Sequence, residues 1–258
     1  MTVDASAQKT ARRYNTSMSI APSPAKGRQL TFGEMLGNAG LGCFLALAGA
    51  IQLIKIDDAL RDGARLVALY QALICLSNMV MAGLVIARRP AVAKGQSWPS
   101  RAVAVIGSFA ILPLGALPLT WAPGWLLAAT SVAMIASYIW IIWALMTLRR
   151  SFSVFAEARA LVTHGPYGIV RHPLYAAYFL TYTCSVLPKL SPLAIVLVAI
   201  GITAEVMRSR NEERILGEAF PSYAEYARQV PAFFPLAIGI LARGGRNAAV
   251  INARPDRI

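Results

Sequence analysis

Acidic residues are scarce: the 258-residue chain has 12 Asp and Glu against 25 Lys and Arg, and no acid falls between Asp62 and Glu157. Charge of either sign is also sparse, at 14% of residues, where a soluble domain carries about 25%. Cysteine occurs three times and histidine twice. Cys43, Cys75 and Cys184 each sit inside an apolar run with no second thiol at metal or disulfide spacing. No metal site or disulfide framework is expected, and each thiol reads as a small buried hydrophobe. The first thirty residues carry Lys9, Arg12, Arg13, Lys26 and Arg28 but no apolar stretch before about Gly33. They are expected to form a polar cytoplasmic tail and not a cleavable secretory signal.

What is abundant is apolar sequence, at 57% of residues with a mean hydropathy of +0.54. A net charge of +13 would suit nucleic acid if the cations lay on one face of a soluble domain. Here they flank apolar runs, so no nucleic-acid partner is expected. About 20 apolar residues at 1.5 Å each cross the hydrocarbon core of a bilayer. Four runs are that long, at about 33–54, 64–87, 102–121 and 125–147. Two shorter ones, at about 173–187 and 192–207, are joined by Pro188-Lys189-Leu190-Ser191-Pro192 and read as a helical hairpin. The fold class is therefore an all-α, polytopic membrane bundle of about six spans.

Charge orients the bundle. With six crossings and the amino terminus inside, segments 1–32, 88–101, 148–172 and 208–258 hold 5, 4, 4 and 8 Lys/Arg, or 21 of the 25. This satisfies the positive-inside rule and places both termini in the cytoplasm. Trp98, Trp121 and Trp125 lie in loops, where amphipathic rings favour the lipid–water boundary. The expected organisation is a tail at 1–32, a four-span region at 33–147, a core with loop, hairpin and cytoplasmic helix at 148–235, and a second tail at 236–258. Glu34 and Glu205 are expected near the inner ends of the first and last spans, within reach of water, with no ionisable group deep in the bilayer.

Both histidines fall in one stretch of the third inner segment, His164-Gly165-Pro166-Tyr167-Gly168-Ile169-Val170-Arg171-His172-Pro173-Leu174-Tyr175. Gly165, Pro166 and Gly168 mark a turn, and Pro173 suits the first position of a helix, whose free N–H groups and partial positive charge favour an anion. After the last span, Ile215, Leu216, Ala219, Phe220 and Tyr223 recur at helical spacing, so the helix should run on as an amphipathic rod and break near Pro221. On it, Glu212 and Glu213 stand where acids are otherwise rare. They are expected to face a cation, either across the bundle or locally among Arg208, Arg210 and Arg214.

Together these blocks resemble the isoprenylcysteine carboxyl methyltransferase family and the related membrane phospholipid methyltransferases. The matching elements are Leu161 to Tyr167, Arg171 to Tyr175, Glu212-Glu213, Phe220 to Tyr226, and Val230-Pro231, with Ser151-Phe152-Ser153 upstream. The resemblance spans roughly residues 149–235 and implies a membrane methyltransferase with a cytoplasmic site for S-adenosylmethionine. It implies a lipophilic or prenylated acceptor drawn from the bilayer, with membrane lipid as the surrounding partner, and is silent on oligomeric state. By position, Gly165, Tyr167, His172, Pro173 and Tyr175 match cofactor-cradling residues. His164, Pro166 and Val170 lie beside them, and Glu213 joins them from the acidic pair. Arg171 and Glu212 match the positions tied to the reaction. The chain departs from the family pattern at Gly168, Ala177 and Pro221, and the methyl of Ala177 is expected to narrow the acceptor tunnel.

The chemistry of methyl transfer fits such a residue set. In-line displacement at a sulfonium needs alignment and water exclusion more than a metal or a covalent nucleophile. A carboxylate acceptor is already ionised and needs only a donor such as Arg171 to orient it. An amine acceptor must lose a proton, which makes Glu212, Glu213 or His172 a candidate base. The rivals are a nicotinamide-dependent membrane reductase, since sterol-reductase-like proteins have a similar carboxy-terminal bundle, and a non-enzymatic scaffold or transporter.

Overall fold

A computed structural model describes residues 29–94, 98–154 and 157–235. The two polar tails, 1–28 and 236–258, lie outside the described residues. Thr31 opens helix α1 (Phe32–Arg61) through a capping box, its hydroxyl accepting from the Glu34 N–H while the Glu34 carboxylate accepts from Thr31 N–H. This satisfies two of the orphan donors at a helix start. Gly63, at φ +69°, turns the chain straight into α2 (Arg65–Ile86), which packs along α1. Further on come α3 (Trp98–Phe109), α4 (Gly124–Leu148), α5 (Pro173–Val186), α6 (Pro192–Ala219) and the short α7 (Tyr223–Gln229).

Among the described residues, four helices are long and apolar enough to cross a membrane: Phe32–Arg61, Arg65–Ile86, Gly124–Ser151 and Pro192–Ala219. Leu36, Leu47, Ile54, Ile139 and Ile195 point outward and are exposed, as lipid-facing side chains should be, since hydrocarbon imposes no penalty on them. Cys43 shares that outer surface, whereas Cys184 is buried and Cys75 half-buried. The expectation of three buried thiols fails at Cys43 because α1 has one side turned away from the bundle.

The run at 102–121 does not form a full-length span. Helix α3 ends at Phe109, and Pro113, Gly115 and Pro118 confine the adjoining residues to a 3-10 turn at Leu112–Ala116 and an irregular stretch. Proline cannot donate to the helical ladder and clashes with the preceding turn. The first hairpin arm, α5, has 14 residues and closes in a 3-10 turn at Leu187–Lys189. At 1.5 Å per residue both α3 and α5 fall well short of a ~30 Å core. They pack instead against the long helices, α3 on α6 and α5 on both α4 and α6. Lys189 pins the hairpin tip to this layer, donating from Nζ to the Leu114 carbonyl at 2.7 Å.

Two apolar clusters brace the bundle. Val85, Ile141, Leu145, Phe152 and Ala177 join α2, α4 and α5, while Leu114, Tyr182, Val186, Ala194 and Val198 join the 3-10 turn, α5 and α6. Ala177 thus belongs to the helix packing, and its carbonyl accepts from Ser137 Oγ at 3.0 Å. It does not line the central cavity, so the expected narrowing of a tunnel there is not found. At one end of the bundle a two-residue antiparallel pair, β1 (Ala93–Lys94) with β2 (Glu157–Ala158), lies against α6. There Ala158 packs with Ile215, Phe220 and Tyr223.

Candidate functional site

The motif loop is built to hold its shape. Gly165 adopts φ +60°, and a Cβ there would sit 3.1 Å from Thr147 Oγ1. Glycine alone meets both conditions without strain. The loop continues as a 3-10 turn over Gly165–Gly168, with Pro166 and Tyr167 buried, and reaches Val170, also buried. Tyr226 Oη donates to the Tyr167 carbonyl at 2.7 Å. Burial pushes the Tyr226 phenol up to about 12, so it remains a donor across the neutral range. Pro173 is the first residue of α5, as its missing N–H requires.

The segment after α7 completes the loop. Arg171 N–H donates to the Pro231 carbonyl at 2.8 Å and His172 N–H to the Ala232 carbonyl at 2.9 Å. The Arg171 guanidinium reaches the Ala227 carbonyl at 2.6 Å and that of Val230 at 3.2 Å. Its Nε donates to Glu213 Oε1 at 3.0 Å, and the same oxygen lies 2.8 Å from His172 Nε2. Glu213 therefore faces the motif loop across the bundle, not its helical neighbours. The His172 ring is flanked by Tyr175 and Phe233, each with its ring centre 5.5 Å away.

Glu212 points to a second, deeper group. It accepts from Tyr175 Oη, and its Oε1 lies 3.5 Å from Arg208 Nε. Arg208 is buried, with Glu205 Oε2 3.6 Å from its Nη1, the Ser153 carbonyl 3.4 Å from its Nη2, and the Tyr175 ring 5.2 Å below its guanidinium carbon. Glu205 is only 1% exposed. It sits within reach of Tyr182 Oη at 3.2 Å and approaches α3 where Gly107 has no side chain. The expectation of a water-facing Glu205 is overturned. Glycine at 107 makes room for the carboxylate, and Arg208, one turn on, faces it.

Glu205 is the member of the site that sequence reasoning missed, and Arg208 entered it only as one of three local partners for the Glu212-Glu213 pair. The signal was present in their spacing, since Glu205, Arg208 and Glu212 lie three and four residues apart on one helix face. Of the sequence-derived residues, Tyr167, Arg171, His172, Pro173, Tyr175 and Glu212 line one cavity of about 420 Å³. Glu213 stands directly behind Arg171 and His172, while Gly165, Pro166 and Val170 form the loop backing. His164 is exposed at the start of the 3-10 turn and does not line the cavity. From the polar end the cavity extends between Phe44 and Leu45 of α1, Met81 of α2, Phe109 of α3 and Ile141 of α4.

Residues 120–222 match the phospholipid methyltransferase family model. This stretch of the chain is similar to phospholipid methyltransferases. The match runs from just before α4 to Ser222 and contains the motif loop, the hairpin and the Glu212-Glu213 pair, in agreement with the family resemblance of the motifs. The carbonyls at 227–232 that hold Arg171 and His172 lie beyond the matched residues. Curated relatives are similar over shorter stretches. One is the cobalt-zinc-cadmium resistance protein CzcN of Cupriavidus metallidurans, 42% identical over 77 residues, covering 29% of this chain and 35% of the relative. Another is the nickel-cobalt-cadmium resistance protein NccN of Alcaligenes xylosoxydans xylosoxydans, 35% identical over 81 residues, covering 31% and 38%. The chain spans little more than a third of the length of these relatives.

Proposed function

We propose that the protein is an integral membrane methyltransferase that moves a methyl group from S-adenosylmethionine to a lipophilic acceptor. The acceptor class favoured is the carboxylate of a prenylated cysteine or an isoprenoid-like acid, with a phospholipid amine or a small thiol as the alternatives. One observation carries this reading: the cavity has a polar end at Arg171, His172, Tyr175 and Glu212 and an apolar end at Phe44, Met81, Phe109 and Ile141. A donor with charged and aromatic parts suits the first, and an isoprenoid or acyl chain suits the second.

The residues at the polar end fit S-adenosylmethionine by their chemistry. Arg208 offers donors for its carboxylate, Glu212 an acceptor for its ammonium or ribose hydroxyls, and the His172, Tyr175 and Phe233 rings flat faces for its purine. When bound, the group supplies an electrophilic methyl on a sulfonium. Arg171, fixed by Glu213 and two backbone carbonyls, orients an anionic acceptor. The apolar walls exclude water, which would otherwise compete with the acceptor as nucleophile. For an amine or thiol acceptor, Glu212 or His172 takes the proton. With six crossings, of which α3 and α5 would have to supply two, the Lys/Arg counts favour the cytoplasmic side for this end and both termini.

Ligand binding tests the reading. S-adenosylhomocysteine at a hundredfold excess over its Kd should stabilise the detergent-solubilised protein by about 2.7 kcal/mol, seen as a melting shift of several degrees, while NADPH should give none. His172→Ala should reduce the shift. Stabilisation by NADPH and not by S-adenosylhomocysteine would instead identify a nicotinamide-dependent reductase.

A further inference from the structure

Buried hydrogen-bond donors without acceptors are rare in folded proteins, because each forfeits its bonds to water. Four of them occur together where the start of α1, the end of α2 and β2 meet. Arg159, its side chain only 3% exposed, gives Nη2 to Glu157 Oε2 at 2.5 Å and leaves Nε and Nη1 buried and unpaired. Arg88 gives Nε to Asn38 Oδ1 at 2.8 Å and leaves Nη1 buried without a bond, 4.0 Å from Glu157 Oε2. Asn38 Nδ2 is the fourth.

The charges show the same deficit. Two guanidinium groups face one buried carboxylate, and Glu157 Oε2 is further committed to Ser153 Oγ at 2.8 Å. Glu34 also acts on Arg88, but from the exposed start of α1, where its carboxylate is bound to the Thr31 cap. The buried cluster therefore carries an excess of positive charge and four free donors. An oxyanion at Arg159, phosphate or carboxylate, supplies acceptors for its two free donors and offsets the charge. Access is provided at Arg159, which with Glu157 and Ser153 lines the same cavity as the candidate methyl-transfer site, beside Leu41 and Leu45 of α1, while Arg88 and Asn38 stand behind it. Ser153 links the two regions, its hydroxyl bonded to Glu157 and its carbonyl facing Arg208.

We propose that Arg159, backed by Arg88 and Asn38, forms an oxyanion subsite that holds an anionic head group of the acceptor while its apolar chain occupies the channel lined by α1–α4. This rests on the membrane methyltransferase reading for the word acceptor, and it narrows the substrate class to anionic amphiphiles. Selection comes from desolvated donors that a neutral lipid leaves unpaired, the situation in which recognition of a polar group is most discriminating.

The test uses the full chain in detergent and two probes that differ only in the oxyanion, farnesyl monophosphate and farnesol. The wild type should bind the phosphate at least tenfold more tightly. Arg159→Gln should remove that preference while leaving farnesol and S-adenosylhomocysteine affinities within about twofold. Equal wild-type affinity for the two probes overturns the proposal without any variant having to fold. So does a preference that survives in Arg159→Gln. If the variant loses S-adenosylhomocysteine affinity and keeps the phosphate preference, the cluster serves the methyl donor and the proposal is equally overturned. Failure of the wild type to bind S-adenosylhomocysteine counts against the methyltransferase reading alone, because the probe comparison does not depend on it.

Discussion

Replacing Arg208 by methionine should destabilise the protein by about 3–5 kcal/mol, the cost of removing one partner from a buried ion pair. Methionine fills much of the same space, so the loss is electrostatic. Glu205 and Glu212 would be left facing each other without the cation between them, and Tyr175 would lose the guanidinium over its ring. Unfolding in detergent, followed by circular dichroism, measures the effect. A second substitution provides the control: Glu205→Gln in the Arg208→Met background should recover part of the loss, because the two side chains act as one unit and their effects are not additive. Arg210→Met is the comparison, since that arginine is exposed and its loss should cost no more than about 0.5 kcal/mol.

The largest effect on activity is expected from Arg171→Met. Its guanidinium joins three parts of the chain, holding Glu213 of α6 and the carbonyls of Ala227 and Val230 while the backbone N–H reaches Pro231. Hydrogen bonds to charged groups contribute about 1.5–3 kcal/mol each, and partial exposure of Arg171 puts these at the lower end. Loss of the Glu213 anchor and of the group that orients the acceptor should lower methyl transfer at least a hundredfold, equivalent to about 2.7 kcal/mol of transition-state stabilisation. Arg171→Lys should rescue little, because an ammonium cannot satisfy a carboxylate and two carbonyls in fixed directions. Initial rates of label transfer from S-adenosylmethionine decide this. Near-wild-type activity in Arg171→Met would remove Arg171 from the site.

Much of this site was legible because its residues come in two short, unusual blocks. Pro173 marks a helix start in any context, glycine and proline at 165 and 166 mark the turn, and two adjacent acids in a basic chain need a cation. The partner of Glu213 required the structure. His172 and Arg171 are about forty residues away, and Arg208, Arg210 and Arg214 were equally plausible by spacing. The third apolar run misled because hydropathy averages over Pro113, Gly115 and Pro118, whereas a helix must satisfy its backbone bonds residue by residue. Arg159 was counted only as an orientation charge. Its unpaired donors result from the meeting of β2 with α1 and α2, which no local pattern encodes.

The most direct measurement is transfer of a tritiated methyl group from S-adenosylmethionine by the purified protein in lipid vesicles, with lipid extract, prenylcysteine analogues and small thiols as acceptors. Label should appear in an acceptor with the wild type and fall at least a hundredfold with Glu212→Gln, which keeps the shape of the side chain but removes its charge. Transfer to none of these acceptors by folded protein, or undiminished transfer by Glu212→Gln, would contradict the account.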